Sequence, residues 1–199
     1  TLRASYDVSD MLKPYVEASY APRFHGENPD RYGLDRDSEG YQLTAGITVA
    51  DDPLWTGDVG LTYLHRQYHD KALDSADAFG VSSALTWSPT ELTRIVMGAS
   101  TSIEESSSVS TPATPTYTAS VAVTQAVRDN LDVTGGAAVT LEDNGGKYDK
   151  TYDANLGVAW KFNPNLSWTA GYDVTWLDAA KKKDSYIEHR VTAGVTITP

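Results

Sequence analysis

The chain has 199 residues and a formal net charge of −11 at pH 7. This length suits one domain or one barrel, and the acidic charge weighs against nucleic acid as a partner. The absence of cysteine excludes disulfides and thiolate chemistry. No apolar run reaches the roughly 18 residues that a transmembrane helix needs.

Segments in which apolar and polar residues alternate follow one another along the chain. A period of two predicts β-strands with two unlike faces. The predicted strands lie, in chain order, at residues 1–8, 15–21, 41–49, 54–68, 79–87, 92–103, 117–127, 131–141, 152–162, 166–177 and 187–197. Polar segments that we interpret as loops lie at residues 23–39, 70–77, 104–116, 142–150 and 178–185.

A compact polar turn leads into a leucine five times along the chain. These leucines are Leu12, Leu54, Leu92, Leu131 and Leu166, and each interval between them contains one hairpin. The connections at this end are therefore short, whereas those at the other end are mostly longer and more polar. Outer-membrane barrels show this asymmetry, with the short turns in the periplasm.

The number of predicted strands is odd, whereas single-chain bacterial barrels usually close with an even number. We therefore expect at least one further strand before Thr1 and about 12 strands in the barrel. The alternative is a wall of ten strands from which residues 1–8 are absent.

Aromatic residues recur eight positions apart on the same face of four predicted strands. Eight residues span ~20 Å of height at a tilt of ~40°, which approaches the apolar band that aromatic rings border in outer-membrane barrels. The pairs are Trp55 with Tyr63, Phe79 with Trp87, Tyr152 with Trp160, and Trp168 with Trp176. These residues predict two aromatic girdles on an all-β, antiparallel up-and-down transmembrane barrel. We expect residues 1–199 to form one such domain, integral to the bacterial outer membrane.

The opposite face of these strands would line the lumen. The candidate lumen-lining residues are Asp58, Arg66, Arg94, Glu142, Asp153, Lys161, Asp173 and Arg190. Charges of both signs either pair across a narrow lumen and seal it or line a water path. Glycines on the same face, such as Gly60 and Gly80, leave room in the lumen, let loops fold inward or ease strand curvature.

Catalytic and metal-binding patterns are weak in this sequence. His65 and His69 would lie ~13 Å apart on a strand and could not share one ion. No serine lies in a nucleophile-elbow pattern, and residues 143–149 lack the spacing and final glutamate of a calcium loop. We therefore predict a protein that is not an enzyme, with no catalytic residue, metal site or cofactor.

Three stretches resemble the type 2 family of outer-membrane β-barrel porins. They are LTWSPTELT at residues 85–93 with SIEE at 102–105, DRDSEGY at 35–41, and NPNL at 163–166. The resemblance covers most of residues 35–198 and implies an outer-membrane barrel.

Together these patterns favour a passive porin for small hydrophilic solutes. The alternative is a closed structural barrel that anchors or binds a cell-envelope partner through its loops, and an outer-membrane hydrolase is a third hypothesis. The expected partners are outer-membrane lipid and lipopolysaccharide, with other envelope proteins or a homo-oligomer as further options and no nucleic acid. The lysines at residues 181–183 either are solvated or contact lipopolysaccharide phosphates.

Overall fold

The computed structural model describes residues 1–26, 29–30, 33–105 and 113–197. In these residues the chain forms eleven strands and one short 3₁₀ helix, Lys182–Asp184. No helix in the described ranges is long and apolar enough to cross a membrane. The strands are β1 Leu2–Ser5, β2 Leu12–Tyr20, β3 Ser38–Val49, β4 Trp55–Tyr68, β5 Ala76–Thr90, β6 Thr93–Glu105, β7 Ala113–Arg128, β8 Leu131–Asp143, β9 Tyr148–Asn163, β10 Leu166–Asp178 and β11 Tyr186–Ile197.

The strands form a single antiparallel sheet in which sequence order is also spatial order, from β1 to β11. The predicted antiparallel up-and-down architecture is therefore confirmed. Within the described residues β1 and β11 are the two edges of the sheet and do not pair with each other. The alternative of ten strands is wrong, because Arg3 of β1 pairs with Glu17 of β2 in a regular antiparallel ladder.

The two ends of the sheet differ in the length of their connections, as predicted. Adjacent strands are joined at one end by residues 6–11, 50–54, 91–92, 129–130 and 164–165. The connections at the other end are residues 21–37, 69–75, 106–112, 144–147 and 179–185. In outer-membrane barrels the short turns face the periplasm and the long loops face outward.

Several strands run further into the predicted loops than the alternation of apolar residues indicated. The predicted loop at 104–116 is wrong at both ends, because Glu105 still belongs to β6 and Ala113 already belongs to β7; residues 106–112 lie outside the described residues. The predicted loop at 142–150 shortens to residues 144–147. A strand of 16 residues such as β7 rises ~40 Å at a tilt of ~40°, well beyond an apolar band of ~25 Å. The strand ends are thus polar because they project beyond the lipid, and their polarity hides them from a pattern search.

The two faces of the sheet have inverted polarity compared with a soluble protein. On β4, the side chain of Leu61 is 56% exposed, whereas its neighbour Thr62 is 1% exposed and is among the largest fully buried side chains of the described residues. Thr44 Oγ1 donates a hydrogen bond to Thr62 Oγ1 at 3.0 Å, which satisfies that buried hydroxyl. We call the face that carries Thr62 the inner face and the face that carries Leu61 the outer face. An apolar outer face and a polar inner face are what a barrel in lipid requires.

The upper end of β6, nearest the long loops, leaves the plane of the sheet. The ladder between β5 and β6 ends at the pair Ser83 and Ala99. Beyond that pair the side chain of Thr101 replaces the backbone ladder, since its Oγ1 bonds to the backbone N and O of Val81 at 3.2 and 3.4 Å. Thr101 lies directly against Gly80, on the inner face of β5. β6 therefore crosses to the inside of β5 and, with the start of β7, forms a second layer there, which we call the inward hairpin end.

The crossing of β6 over β5 requires a glycine at position 80. A methyl group on Gly80 would overlap Thr101 Oγ1, with two further Thr101 atoms at 2.8 and 3.0 Å. We predict that Gly80→Ala displaces the inward hairpin end and lowers the temperature at which the folded protein loses its heat-modifiable gel mobility. Gly98→Ala, also on the inner face, is the control because its nearest neighbour is the movable hydroxyl of Ser120 at 3.0 Å. Equal midpoints for the two variants would contradict the prediction.

Candidate functional site

The inner face carries all eight residues that the sequence singled out as lumen-lining. Residues opposite each other in a ladder share a face, and the ladders connect these eight positions from β4 to β11 through the inner face of every intervening strand. Residues on this shared face are Asp58, Arg66, Arg94, Glu142, Asp153, Lys161, Asp173 and Arg190. Their role in lining a solute path stays a prediction.

Many of these inner-face charges are paired with neighbours on adjacent strands. Arg190 Nε lies 3.4 Å from Asp173 Oδ2, and Lys161 Nζ lies 3.6 Å from Asp132 Oδ2. Thr175 Oγ1 donates to Asp153 at 2.5 Å. Arg94 and Glu142 have no ion pair among the described residues; they leave one charge of each sign open on this face.

A cluster around Arg3 fills the inner face of the first four strands. Arg3 Nη2 donates to Asp58 Oδ1 at 2.8 Å, and Arg3 Nη1 lies 3.7 Å from Glu17. The guanidinium stacks on the buried Tyr15 ring, with 3.7 Å between its carbon and the ring centroid. The Tyr15 hydroxyl reaches the next strand but one, where a methyl group on Gly60 would lie 3.0 Å from it. One ring therefore occupies the space that glycine leaves on the inner face.

A second cluster joins the inward hairpin end to the wall of the sheet. Its centre is the carboxylate of Glu105 at the end of β6. Ser38 Oγ donates to this carboxylate at 3.2 Å, and Arg23 Nη1 and His25 Nε2 lie 3.3 and 3.0 Å from it. Arg66 Nη1 donates to Ser38 Oγ at 2.9 Å and lies 3.7 Å from Glu105. We call these five residues the Glu105 cluster.

Arg66 is the more enclosed of the two arginines in the Glu105 cluster. Its side chain is only 7% exposed, and its Nε has no hydrogen-bond partner among the described residues. A buried donor without a partner lowers the stability of the folded protein by about 1–3 kcal/mol. The Nε–H group of Arg66 can therefore still donate a hydrogen bond to an acceptor that enters the site. It also borders a cavity of about 190 Å³ whose other walls include Ser19, Gln42, Leu64 and Ile103.

The sequence identified Arg66 but missed its partners in the Glu105 cluster. Arg23, His25, Ser38 and Glu105 fell in segments interpreted as loops, and nothing in a local pattern relates them to β4. The available signal was that Ser38 and Glu105 each belong to a stretch that carried the family resemblance, DRDSEGY at residues 35–41 and SIEE at residues 102–105.

Two of the long loops meet at a smaller group of acidic and histidine side chains. The ligand atoms of Asp35, Asp37 and His69 lie within 4.8 Å of one another, an arrangement that could hold a metal ion. The carboxylates already accept bonds from the backbone N–H groups of Asp37 and His25, at 2.9 and 2.8 Å. His69 N donates to Asp37 O at 2.9 Å. These contacts connect the loops without an ion, so we assign no metal to them.

The outer face carries all eight residues of the predicted girdles, and they pair across strands at two levels. Near the short turns, Trp55 lies opposite Trp87 and Trp160 lies opposite Trp168. Nearer the long loops, Tyr63 lies opposite Phe79 and Tyr152 lies opposite Trp176. The Trp55 and Trp87 rings are stacked with centroids 5.3 Å apart, and those of Tyr152 and Trp176 are 5.5 Å apart. That these two levels contact the lipid–water boundaries stays a prediction.

An apolar outer face, a polar inner face and an antiparallel up-and-down sheet define an integral outer-membrane β-strand protein of the barrel class. The chain belongs to the family described as Putative beta-barrel porin 2, whose sequence profile matches residues 1–198. This confirms the family to which the sequence resemblance pointed, and with it the outer-membrane location. No curated protein matches the sequence.

Solved structures with a similar fold are outer-membrane proteins. The outer membrane channel DcaP of Acinetobacter baumannii aligns with a TM-score of 0.63 and 16% identity, over 98% of this chain and 61% of that one. The NanC porin aligns with a TM-score of 0.49 and 11% identity, over 99% and 98% of the two chains. OmpT of Vibrio cholerae aligns with a TM-score of 0.44 and 12% identity, over 97% and 85%. This chain thus spans about three fifths of the length of DcaP, and the likeness to DcaP shows the fold alone.

Adjacent residues in the middle of β7 give a direct test of which face meets lipid. Val121 lies on the outer face and Ser120 on the inner face, and both side chains are exposed. The chain has no cysteine, so single spin labels can be attached to Val121→Cys and Ser120→Cys in lipid vesicles. We expect the label at position 121 to collide with oxygen, which concentrates in lipid, and the label at position 120 to collide with a water-soluble nickel chelate. The opposite pattern would contradict the assignment of the faces.

The stacked pair Trp55 and Trp87 should contribute a measurable coupling to stability. A double-mutant cycle with Trp55→Ala and Trp87→Ala, measured by unfolding in lipid vesicles, should give a coupling free energy of ~0.5–1.5 kcal/mol. The control cycle combines Trp55→Ala with Trp168→Ala, whose rings belong to β4 and β10 and share no partner. That cycle should be additive to within ~0.5 kcal/mol. A Trp55–Trp87 coupling as small as the control would mean that the rings act only through separate lipid contacts.

Proposed function

We propose that this protein is a passive porin through which small hydrophilic solutes diffuse along the inner face. The observation that supports this most is the continuous polar inner face, with charges of both signs, serine, threonine and glycine from β4 to β11. Family membership and the likeness to an outer membrane channel agree with it. In this proposal residues 1–199 act as one barrel domain, and the eight predicted inner-face charges border the path.

The inward hairpin end narrows this path near the long loops. It places Thr101 and Ile103 inside the wall, where both are buried, and fixes Glu105 against β3 and β4. A solute that enters from the outer side would therefore pass the Glu105 cluster before it reaches the region bordered by β7 to β11. The short strand connections would lie at the periplasmic exit.

A closed structural barrel remains the second candidate function, because the same contacts can also be read as a seal. Arg3, Tyr15 and Asp58 fill part of the inner face, and the Glu105 cluster fills another part. In that case the barrel would anchor its long loops for contact with an envelope component. Catalysis has no part in either function, and the lipid and lipopolysaccharide of the outer membrane are the surroundings in both. Lys182 is paired with Asp178 at 2.8 Å. We propose that Lys181 and Lys183 beside it contact lipopolysaccharide phosphates, with solvated lysines as the alternative.

Single-channel recording in a planar bilayer separates the two candidates. We expect the folded protein to give stable, ohmic current steps. Ser120→Trp, which places an indole on the inner face, should lower the conductance. Val121→Trp, which places the same indole on the outer face one residue away, should leave the conductance unchanged. Silence from correctly folded, inserted protein would contradict the porin proposal and favour the structural barrel.

A further inference from the structure

The carboxylate of Glu105 is held by groups from three separate parts of the chain. His25 and Arg23 come from the connection between β2 and β3, Ser38 begins β3, and Arg66 lies near the end of β4. Their distances to the carboxylate oxygens are 3.0, 3.3, 3.2 and 3.7 Å respectively. Such convergence of a hydroxyl, an imidazole and two guanidinium groups on one carboxylate is the arrangement that recognises carboxylates in binding sites.

The pocket retains a hydrogen-bond donor that the Glu105 carboxylate does not use. Two guanidinium groups face the Glu105 carboxylate, and Asp37 Oδ1 lies 3.6 Å from Nδ1 of His25. The Nε donor of Arg66 has no partner among the residues that the structure describes. The Arg66 side chain is only 7% exposed, so bulk water does not reach this donor.

We propose that Arg23, His25, Ser38 and Arg66 form a binding site for the carboxylate group of a solute, and that Glu105 occupies this site as an internal competitor. The inference rests on the proposed function only in placing the site on a solute path. The neighbouring cavity of about 190 Å³ offers room for the rest of a small carboxylic acid. A solute carboxylate that enters takes the Ser38 and guanidinium donors, and the Glu105 side chain leaves them.

Glu105 can leave its site without breaking the wall of the sheet. The β5–β6 ladder has already ended at Ala99, so the inward hairpin end is joined to β5 through the Thr101 side chain instead of a backbone ladder. The carboxylate of Glu105 is tethered near its site, and tethered groups compete at effective concentrations on the order of millimolar. A free carboxylate therefore has to reach comparable concentrations to displace it.

The test removes the internal competitor and measures binding of a simple carboxylate. Glu105→Gln keeps the shape of the side chain but removes its charge, so we expect sodium acetate to raise the thermal unfolding midpoint of the folded variant in detergent. An equal shift of the midpoint should need an acetate concentration on the order of tenfold lower than in the unsubstituted protein, because the tethered competitor is gone. Acetamide, the neutral isostere, and sodium chloride at equal ionic strength should not produce this shift.

Glu104 offers a matched control one residue away. Its carboxylate accepts a bond from Ser102 Oγ at 2.8 Å and is exposed, so Glu104→Gln should respond to acetate as the unsubstituted protein does. Adding Arg23→Gln to Glu105→Gln should abolish the acetate shift. Arg23 is 40% exposed and is therefore a safer second substitution than the buried Arg66. An acetate response that is equal in Glu105→Gln and Glu104→Gln, or that survives Arg23→Gln, would overturn the proposal.

The thermal measurement is independent of conduction, which keeps the two proposals distinguishable. An acetate shift confined to Glu105→Gln in a protein that gives no current would support the carboxylate site and refute the porin. Stable current steps without any acetate shift would refute the carboxylate site alone.

Discussion

Every backbone N–H and C=O group of a chain in lipid needs a partner within the protein, and this requirement determines the structure more than any side-chain contact does. Hydrocarbon offers no hydrogen bonds, so only helices and closed ladders of strands are stable there. The chain meets most of this requirement with one antiparallel series from β1 to β11, in which the outer edges of β1 and β11 have no ladder partner among the described residues. Because the ladder supplies the backbone bonds, the side chains on its two faces are free to follow opposite rules.

The inner face then has to solve the problem that a soluble protein solves with an apolar core. Its most buried side chains in the described residues include Thr62, Ser38 and Arg66, which need partners because burial removes them from water. Thr44 donates a hydrogen bond to Thr62, and Glu105 accepts one from Ser38 and forms an ion pair with Arg66. The interior is thus held by hydrogen bonds and ion pairs across strands, and each pair constrains which strands and loops approach one another.

The difference between the strand ladder and the side-chain contacts on its inner face also explains how much of this structure the sequence predicts. The face that a residue occupies depends on parity alone, so alternation along the chain was enough to predict eleven strands with two faces. The repeated polar turns before leucines such as Leu54 predicted the short connections. The ends of β6, β7 and β9 were missed because a polar strand beyond the lipid resembles a loop. The Glu105 cluster was missed for a different reason: Glu105 and Arg66 are 39 positions apart in the sequence, and no periodic pattern relates them.

The glycines show why the groups that cover the inner face cannot be predicted from the alternation of residues, whereas the strands of the wall can. From sequence, Gly60 and Gly80 were equivalent small residues on one face. In the structure each lies beneath a different inner group, Tyr15 in one case and Thr101 in the other. Tyr15 is a single side chain of β2, whereas Thr101 belongs to the inward hairpin end, which packs on the inner face of β5. The position of a glycine therefore determines how closely a second layer can approach the wall of the sheet. The segment that forms this layer comes from elsewhere in the sequence. It determines whether the space above the glycine is filled or becomes a binding site. The Glu105 cluster is such a site, because the inward hairpin end brings Glu105 against β3 and β4.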